Sequence, residues 1–302
     1  MPSRNATPPK PALPPNLAGG ESGRSRPTAR RSIPIRGPFP WQAMLRYLGG
    51  RLIPNAECAD GDVFKREADA RLPAVEIHYA PARAQLRLQI CGAANAAVIE
   101  RRARRLFDPD HDAAALAPLA EHPLLRPRIL ATPGLRPLGC WDPFELCVRT
   151  LIGQQVSVRA AQSLTARVVE RCGTLQAGAL AGADLAQIGM PGRRVAAIQN
   201  FAKLVSASAI DLNADWAELE PTLAELPGFG PWTCAYLAIR LGRDPDAFPV
   251  ADVGLMRAAA AENPKALERM AEAWRPLRAF AATYLWFDLP ARPAAPDTFP
   301  GE

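Results

Sequence analysis

The stretch Leu226-Pro-Gly-Phe-Gly-Pro-Trp-Thr-Cys234 cannot continue a helix, so it fixes where two helices must meet. The run before it, Glu218-Leu-Glu-Pro-Thr-Leu-Ala-Glu225, reads as helical, and Pro227 with Gly228 ends it. Gly228 and Gly230 permit positive φ and close approach of another backbone. Pro231 suits a first helical turn, where its missing N–H costs nothing. The helix it opens carries Trp232, Tyr236, Ile239 and Arg240. The first amides of that helix, with those of the turn, point outward without partners and can receive a phosphate. Residues 218–242 thus form a helix-hairpin-helix, a device that grips a nucleic-acid backbone without reading bases. Taken alone, the glycines mark no more than an ordinary connection between two helices.

Twenty residues on, Phe248-Pro-Val-Ala-Asp252 places a carboxylate just before a new helical run, Val253–Ala260. By itself Asp252 reads as the N-cap of that helix. Composition bounds the rest. A chain of 302 residues that is 48% hydrophobic has room for two domains with real cores. No run of 18 apolar residues occurs, and the first residues lack the apolar core of a signal peptide. Cysteines 58, 91, 140, 147, 172 and 234 show no Cys-x-x-Cys spacing, and His78, His111 and His122 are scattered. Reduced, packed thiols in a cytosolic protein are the expectation, not a metal site. The net charge of +6 resides entirely in residues 1–36, which hold seven basic groups and one acid. The folded body is therefore neutral overall, and any grip on DNA there must be local.

In chain order, residues 1–36 are rich in Pro, Arg, Ser and Gly and read as a disordered basic tail. Residues 37–110 mix strand and helix. Phe39, Trp41, Met44, Leu45 and Leu48 fit a short helix. Val75, Ile77, Tyr79 and Leu86, Leu88, Ile90 alternate around Ala80-Pro-Ala-Arg83 as a hairpin. Val98, Ala103 and Leu106 among four arginines give a helix with a charged face. Residues 111–288 are almost wholly helical, and 289–302 are a C-terminal tail. Asp142 and Pro143 open one helix and Ser157 caps the next. Arg193 and Arg194 face either solvent or phosphate. The fold class expected is α+β: a small antiparallel sheet domain, then a helical region with a cleft between its subdomains.

Hairpin and aspartate together resemble the helix-hairpin-helix DNA glycosylases. Further landmarks, Phe144-Glu145, Gly153-Gln-Gln-Val-Ser157, Gly189-Met-Pro191 and Trp274-Arg-Pro with Leu285-Trp286, recur in the same order. They narrow the resemblance to the bacterial 3-methyladenine DNA glycosylase II family, over about Pro38 to Phe287. That resemblance implies an enzyme that flips an alkylated purine out of double-stranded DNA and hydrolyses its N-glycosidic bond in base excision repair. Asp252 is then the catalytic carboxylate, stabilising an oxocarbenium-like transition state. Trp232, Tyr236, Trp286 and Tyr47 are the pocket, whose aromatic faces attract a cationic base. Gly228, Phe229, Gly230 and Thr233 hold DNA, and Gln155 fills the gap that the flipped base leaves.

Relatives that also cut the strand use a lysine where this chain has Trp232, so no lyase action is expected. The resemblance further implies a monovalent cation on the backbone carbonyls of Ala224, Leu226 and Gly228. Some members carry an iron–sulfur cluster after the aspartate; no cysteine follows Cys234, so none is expected here. A cytoplasmic, nucleoid-associated monomer completes the picture. Two departures from the family bear on substrate range: Gln155 replaces an apolar wedge, and Val253 stands where a pocket tyrosine can occur. Rival readings are a non-catalytic DNA-binding module and a glycosylase for other damaged bases.

Overall fold

The computed structural model describes residues 29–92, 95–241 and 244–287. The first third folds around a five-stranded antiparallel sheet. In chain order it comprises β1 (Ala29–Pro34), α1 (Trp41–Gly49), β2 (Glu57–Asp60), β3 (Val63–Arg66), β4 (Val75–Ala80), β5 (Gln85–Ile90) and α2 (Ala96–Phe107). The strand order is β1-β5-β4-β3-β2. The alternation expected around residues 75–90 produces the β4–β5 hairpin, with Ile77 opposite Leu88 and Val75 opposite Ile90. A single 3-10 turn, Pro81–Arg83, closes it, and Ala84 takes a left-handed φ of 44°. One core holds Ile33 of β1, Phe64 of β3, Leu86 and Leu88 of β5, and the buried faces of α1 and α2.

The expectation of a disordered tail through residue 36 is corrected by β1. Ile33 is fully buried and pairs opposite Leu86, while Arg30 and Arg31 flank it on the exposed side. Averaged over 36 residues, the Pro- and Arg-rich composition hid a local Ser32-Ile33-Pro34-Ile35 alternation that burial rewards. Proline in this strand fits its place on the edge of the sheet. Residues 1–28 and 288–302, with the two tails expected there, lie outside the described residues.

The remainder is helical: α3 (Ala117–Glu121), α4 (Arg126–Ala131), α5 (Pro143–Ile152), α6 (Val158–Cys172), α7 (Ala177–Ala181) and α8 (Gly192–Ser206) lead to α9 (Trp216–Ala224), α10 (Pro231–Arg240), α11 (Val253–Ala258), α12 (Pro264–Ala271) and α13 (Arg278–Phe287). The caps read from sequence form. Asp142 accepts from the amides of Phe144 and Glu145, and Ser157 accepts from Ala160. Two apolar cores divide these helices. One gathers α5 to α9, and the other joins residues 116–135 to the C-terminal helices. Helix α10 serves both, giving Cys234 and Leu237 to the first and Ala238 and Ile239 to the second. Among the described residues no helix is long and apolar enough to cross a membrane.

The sheet domain is bolted to the helices by a buried ionic cluster. Arg66 of β3 donates from Nη1 to Glu57 at 3.0 Å and to Glu145 of α5 at 2.9 Å, and from Nη2 to the other Glu145 oxygen. Burial raises the pKa of the Glu145 carboxyl, with Arg66 pulling the other way. Leu138 and Trp141, which follow α4, belong to the core of the sheet domain. Between them Gly139 is indispensable, since an added Cβ would sit 2.0 Å from the Arg105 carbonyl oxygen. Arg66→Met leaves two buried carboxylates short of their cation and should cost about 3–5 kcal/mol in denaturant unfolding. Adding Glu145→Leu should recover much of that loss, because the pair is then replaced by apolar packing.

Candidate active site

The hairpin between α9 and α10 turns on one glycine rather than two. Gly228 has φ +91°, and an added Cβ would lie 2.7 Å from Leu151 Cδ2. Gly230 sits at φ −69° as the residue before α10, with open space around its Cβ position. Of the two glycines that could take positive φ, only Gly228 uses that freedom. Phe229 points inward, 1% exposed and 5.0 Å from the Phe201 ring. Thr233 is buried as well, its hydroxyl donating to the Gly228 carbonyl at 3.1 Å. Neither side chain is presented to a nucleic acid. What faces outward is backbone: the amides of Gly230, Trp232 and Thr233 find no acceptor among the described residues. Three such amides at a helix N-terminus form a cradle for an anion.

The loop between α5 and α6 braces this turn. Gln154 Nε2 donates to the Gly228 carbonyl at 2.7 Å and to Thr233 Oγ1 at 3.0 Å. Arg194 is turned inward, donating to the Gln154 carbonyl at 2.7 Å, so it supports the loop instead of facing solvent. Gln155, beside this brace, is exposed and held at φ 60°. A non-glycine residue in that region is strained, and here the strain lifts one polar side chain off the surface at the hairpin edge. The carbonyls of Ala224, Leu226 and Gly228 do not fit a three-ligand cation site. Both lone pairs of the Gly228 oxygen are taken by Gln154 and Thr233, and the Leu226 oxygen accepts from Phe229 at 3.1 Å.

Asp252 lies across from α10 and is half-buried. Its amide donates to the Pro249 carbonyl at 2.9 Å, closing the turn that delivers it. Oδ1 accepts from the Leu255 amide at 2.8 Å, capping α11, and from Trp286 Nε1 at 3.1 Å. Oδ2 accepts from Trp232 Nε1 at 2.9 Å and retains room for a further partner. The acid is thus a cap, and it is also clamped between two indoles from α10 and α13. The same rings build a wall. Trp232 and Tyr236 stack at 5.3 Å and 7°, and Trp286 meets Tyr236 edge-on at 5.7 Å. Val253, next to the acid, is 71% exposed and contributes nothing to that wall.

Tyr47 of α1 reaches the far end of this cluster, with Arg51 over its ring at 3.9 Å. Its hydroxyl bonds to Tyr236, whose oxygen also receives Arg240 Nη1 at 2.8 Å. Arg240 is buried, and its other nitrogens donate to the carbonyls of Leu138 and Gly139. Sequence reading missed the arginines behind the aromatics and the brace by Gln154. A signal for Arg240 existed: it follows Trp232 and Tyr236 at successive intervals of four, on one helical face. Gln154 offered none, since its partner is 74 residues away.

Residues 30–142 match the AlkA N-terminal domain, and residues 148–277 match the HhH-GPD superfamily of base excision DNA repair proteins. The chain is 30% identical over 276 residues to "DNA-3-methyladenine glycosylase 2" of Escherichia coli, covering 83% of this chain and 94% of that one. It is 31% identical over 286 residues to the "Probable bifunctional transcriptional activator/DNA repair enzyme AlkA" of Mycobacterium tuberculosis. That match covers 87% of this chain but spans only 57% of the relative's length. Among solved structures, a 3-methyladenine DNA glycosylase from Archaeoglobus fulgidus superposes with a TM-score of 0.73 at 18% identity, over 85% of this chain and 97% of that one. At that identity the likeness is one of fold.

Because Gly228 combines a left-handed backbone with contact against Leu151, Gly228→Ala should lose more than about 1 kcal/mol of stability. The melting temperature should drop and binding to undamaged duplex should weaken together; an unchanged melting point would show that the hairpin tolerates a side chain there.

Proposed function

The chain belongs to the HhH-GPD superfamily of base excision DNA repair proteins, and from that membership we propose that it is a DNA glycosylase hydrolysing the N-glycosidic bond of alkylated purines. The observation that carries this reading is the Asp252 carboxylate, capped, clamped between Trp232 and Trp286, and left with one open acceptor position beside stacked rings. A carboxylate needed only to cap a helix has no use for two indole donors.

In this reading the duplex backbone rests on the outward amides of the hairpin, and the damaged nucleotide leaves the stack to reach the acid. Gln155, raised at the hairpin edge, fills the space left behind and hydrogen-bonds the unpaired partner. Alkylation at N3 or N7 makes a purine cationic, which weakens its bond to the sugar and draws it to the faces of Trp232 and Tyr236 by about 0.5–2 kcal/mol. As the base departs, positive charge builds on the sugar. The carboxylate of Asp252 stabilises that charge, and Oδ2 orients the water that attacks the anomeric carbon. The products are the free base and an abasic site. Strand cutting by an imine would need an amine where this chain has Trp232, and an indole cannot supply one.

Asp252→Asn is the decisive variant. Asparagine still caps a helix, so the fold should persist while 3-methyladenine release from methylated duplex falls at least about a hundredfold. Equal release by variant and native protein would reduce the site to a non-catalytic clamp. Incubation with abasic duplex and borohydride should give no covalent protein–DNA species on a denaturing gel; a trapped adduct would contradict the monofunctional assignment.

A further inference from the structure

The loop that carries Gln155 is held only weakly by its own backbone. The Gln154 amide reaches the Leu151 carbonyl, and the Val156 amide the Gly153 carbonyl, both at 3.5 Å, longer than an ordinary N–H···O bond. Gln155 nevertheless keeps a left-handed φ of 60°. A residue with a side chain stays in that region only where its surroundings over-determine it. Here the surroundings are Gln154 and Arg194.

Arg194, from the first turn of α8, donates through Nη2 to the Gln154 carbonyl at 2.7 Å. That oxygen belongs to the planar peptide unit joining Gln154 to Gln155, so the guanidinium fixes the plane from which Gln155 departs. The Gln154 side chain holds the other end. Its amide gives one proton to the Gly228 carbonyl at 2.7 Å and the other to Thr233 Oγ1 at 3.0 Å. Thr233 can accept there because its own proton is turned to Gly228. Thr233 also contributes one of the outward amides of the anion cradle. A single side chain therefore separates the cradle from Gln155.

We propose that Gln154 is a positioning residue that couples the hairpin's grip on a phosphate to the neighbouring Gln155. It passes the position of the gripped backbone to the next residue, so that Gln155 enters the duplex at a set distance from the cradle. Arg194 serves the same end from the other side, by orienting the peptide plane. The inference rests on the reading of Gln155 as the side chain that fills the gap left by a flipped nucleotide. Without the coupling the hairpin still binds backbone, but Gln155 no longer meets the gap in register. What is lost is the preference for a duplex with a gap, while binding to intact duplex persists.

The test is fluorescence anisotropy of the full chain with two labelled duplexes, one intact and one carrying a tetrahydrofuran abasic analogue. Native protein should prefer the abasic duplex. Gln154→Met keeps the length of the side chain and removes both donors, and it should lower that preference about three- to tenfold, the worth of one net hydrogen bond. Gln155→Ala should lower it as well. Adding Gln154→Met to Gln155→Ala should then change the preference by less than about twofold, because the first residue acts through the second. Arg194→Met should show the same dependence on Gln155, and it decides the matter if Gln154→Met folds poorly. A native-like preference in Gln154→Met, or equal losses in the native and Gln155→Ala backgrounds, overturns this inference alone. Native protein that binds both duplexes alike, or Gln155→Ala that keeps the native preference, removes the gap-filling reading and this inference with it. Neither duplex is a substrate, so the outcome stands apart from whether the protein releases 3-methyladenine.

Discussion

One carboxylate and two indole N–H groups hold the two sides of the site in register. Trp232 comes from the helix that closes the hairpin and Trp286 from the last described helix, so Asp252 ties together segments 20 and 34 residues away from it. Each contact is an ordinary charge-assisted hydrogen bond, yet together they fix the acid's two oxygens and the planes of two rings at once. The cap bond to Leu255 adds the direction of α11. If the turn at Phe248–Asp252 shifted, the acid, the wall and the helix start would all move together.

Behind this clamp, electrostatics are settled by burial more than by surface pairing. The Arg66–Glu57–Glu145 cluster joins sheet to helices, and Arg149 and Arg240 extend the same chain of charges to the tyrosines of the pocket. Such groups are expensive to remove from water, and removing one partner costs far more than the pair contributes. The sheet domain therefore does more than support the helices: through Glu57 it meets Arg149, and through Tyr47 it reaches Arg240 behind the aromatic cluster.

Much of this was legible in the sequence wherever the signal was local. The hairpin glycine, the prolines at first helical turns, the caps at Asp142 and Ser157, and the period-two hairpin each depend on a few adjacent residues, and each appears as read. Asp252, Trp232 and Trp286 were singled out through the resemblance, and the structure places both indoles within hydrogen-bonding distance of the acid. What was not legible depends on partners far along the chain. β1 forms because Ile33 finds Leu86, which no composition window shows. Phe229 and Thr233 turn inward because Phe201 and the Gly228 carbonyl are there to receive them. Whether Gly228's oxygen was free for a cation could not be read without knowing that Gln154 would occupy it.

Helix α10 forms part of both helical cores, with Leu237 packed on one side and Ile239 on the other. Spreading those halves apart would strip apolar surface from a close-packed interior, a movement that protein cores resist. The molecule is then a stiff template and not a jaw. On the proposed reading, the bending and unstacking that would carry a base to Asp252 then fall mainly on the duplex, whose own weakness at a damaged pair becomes the thing being measured.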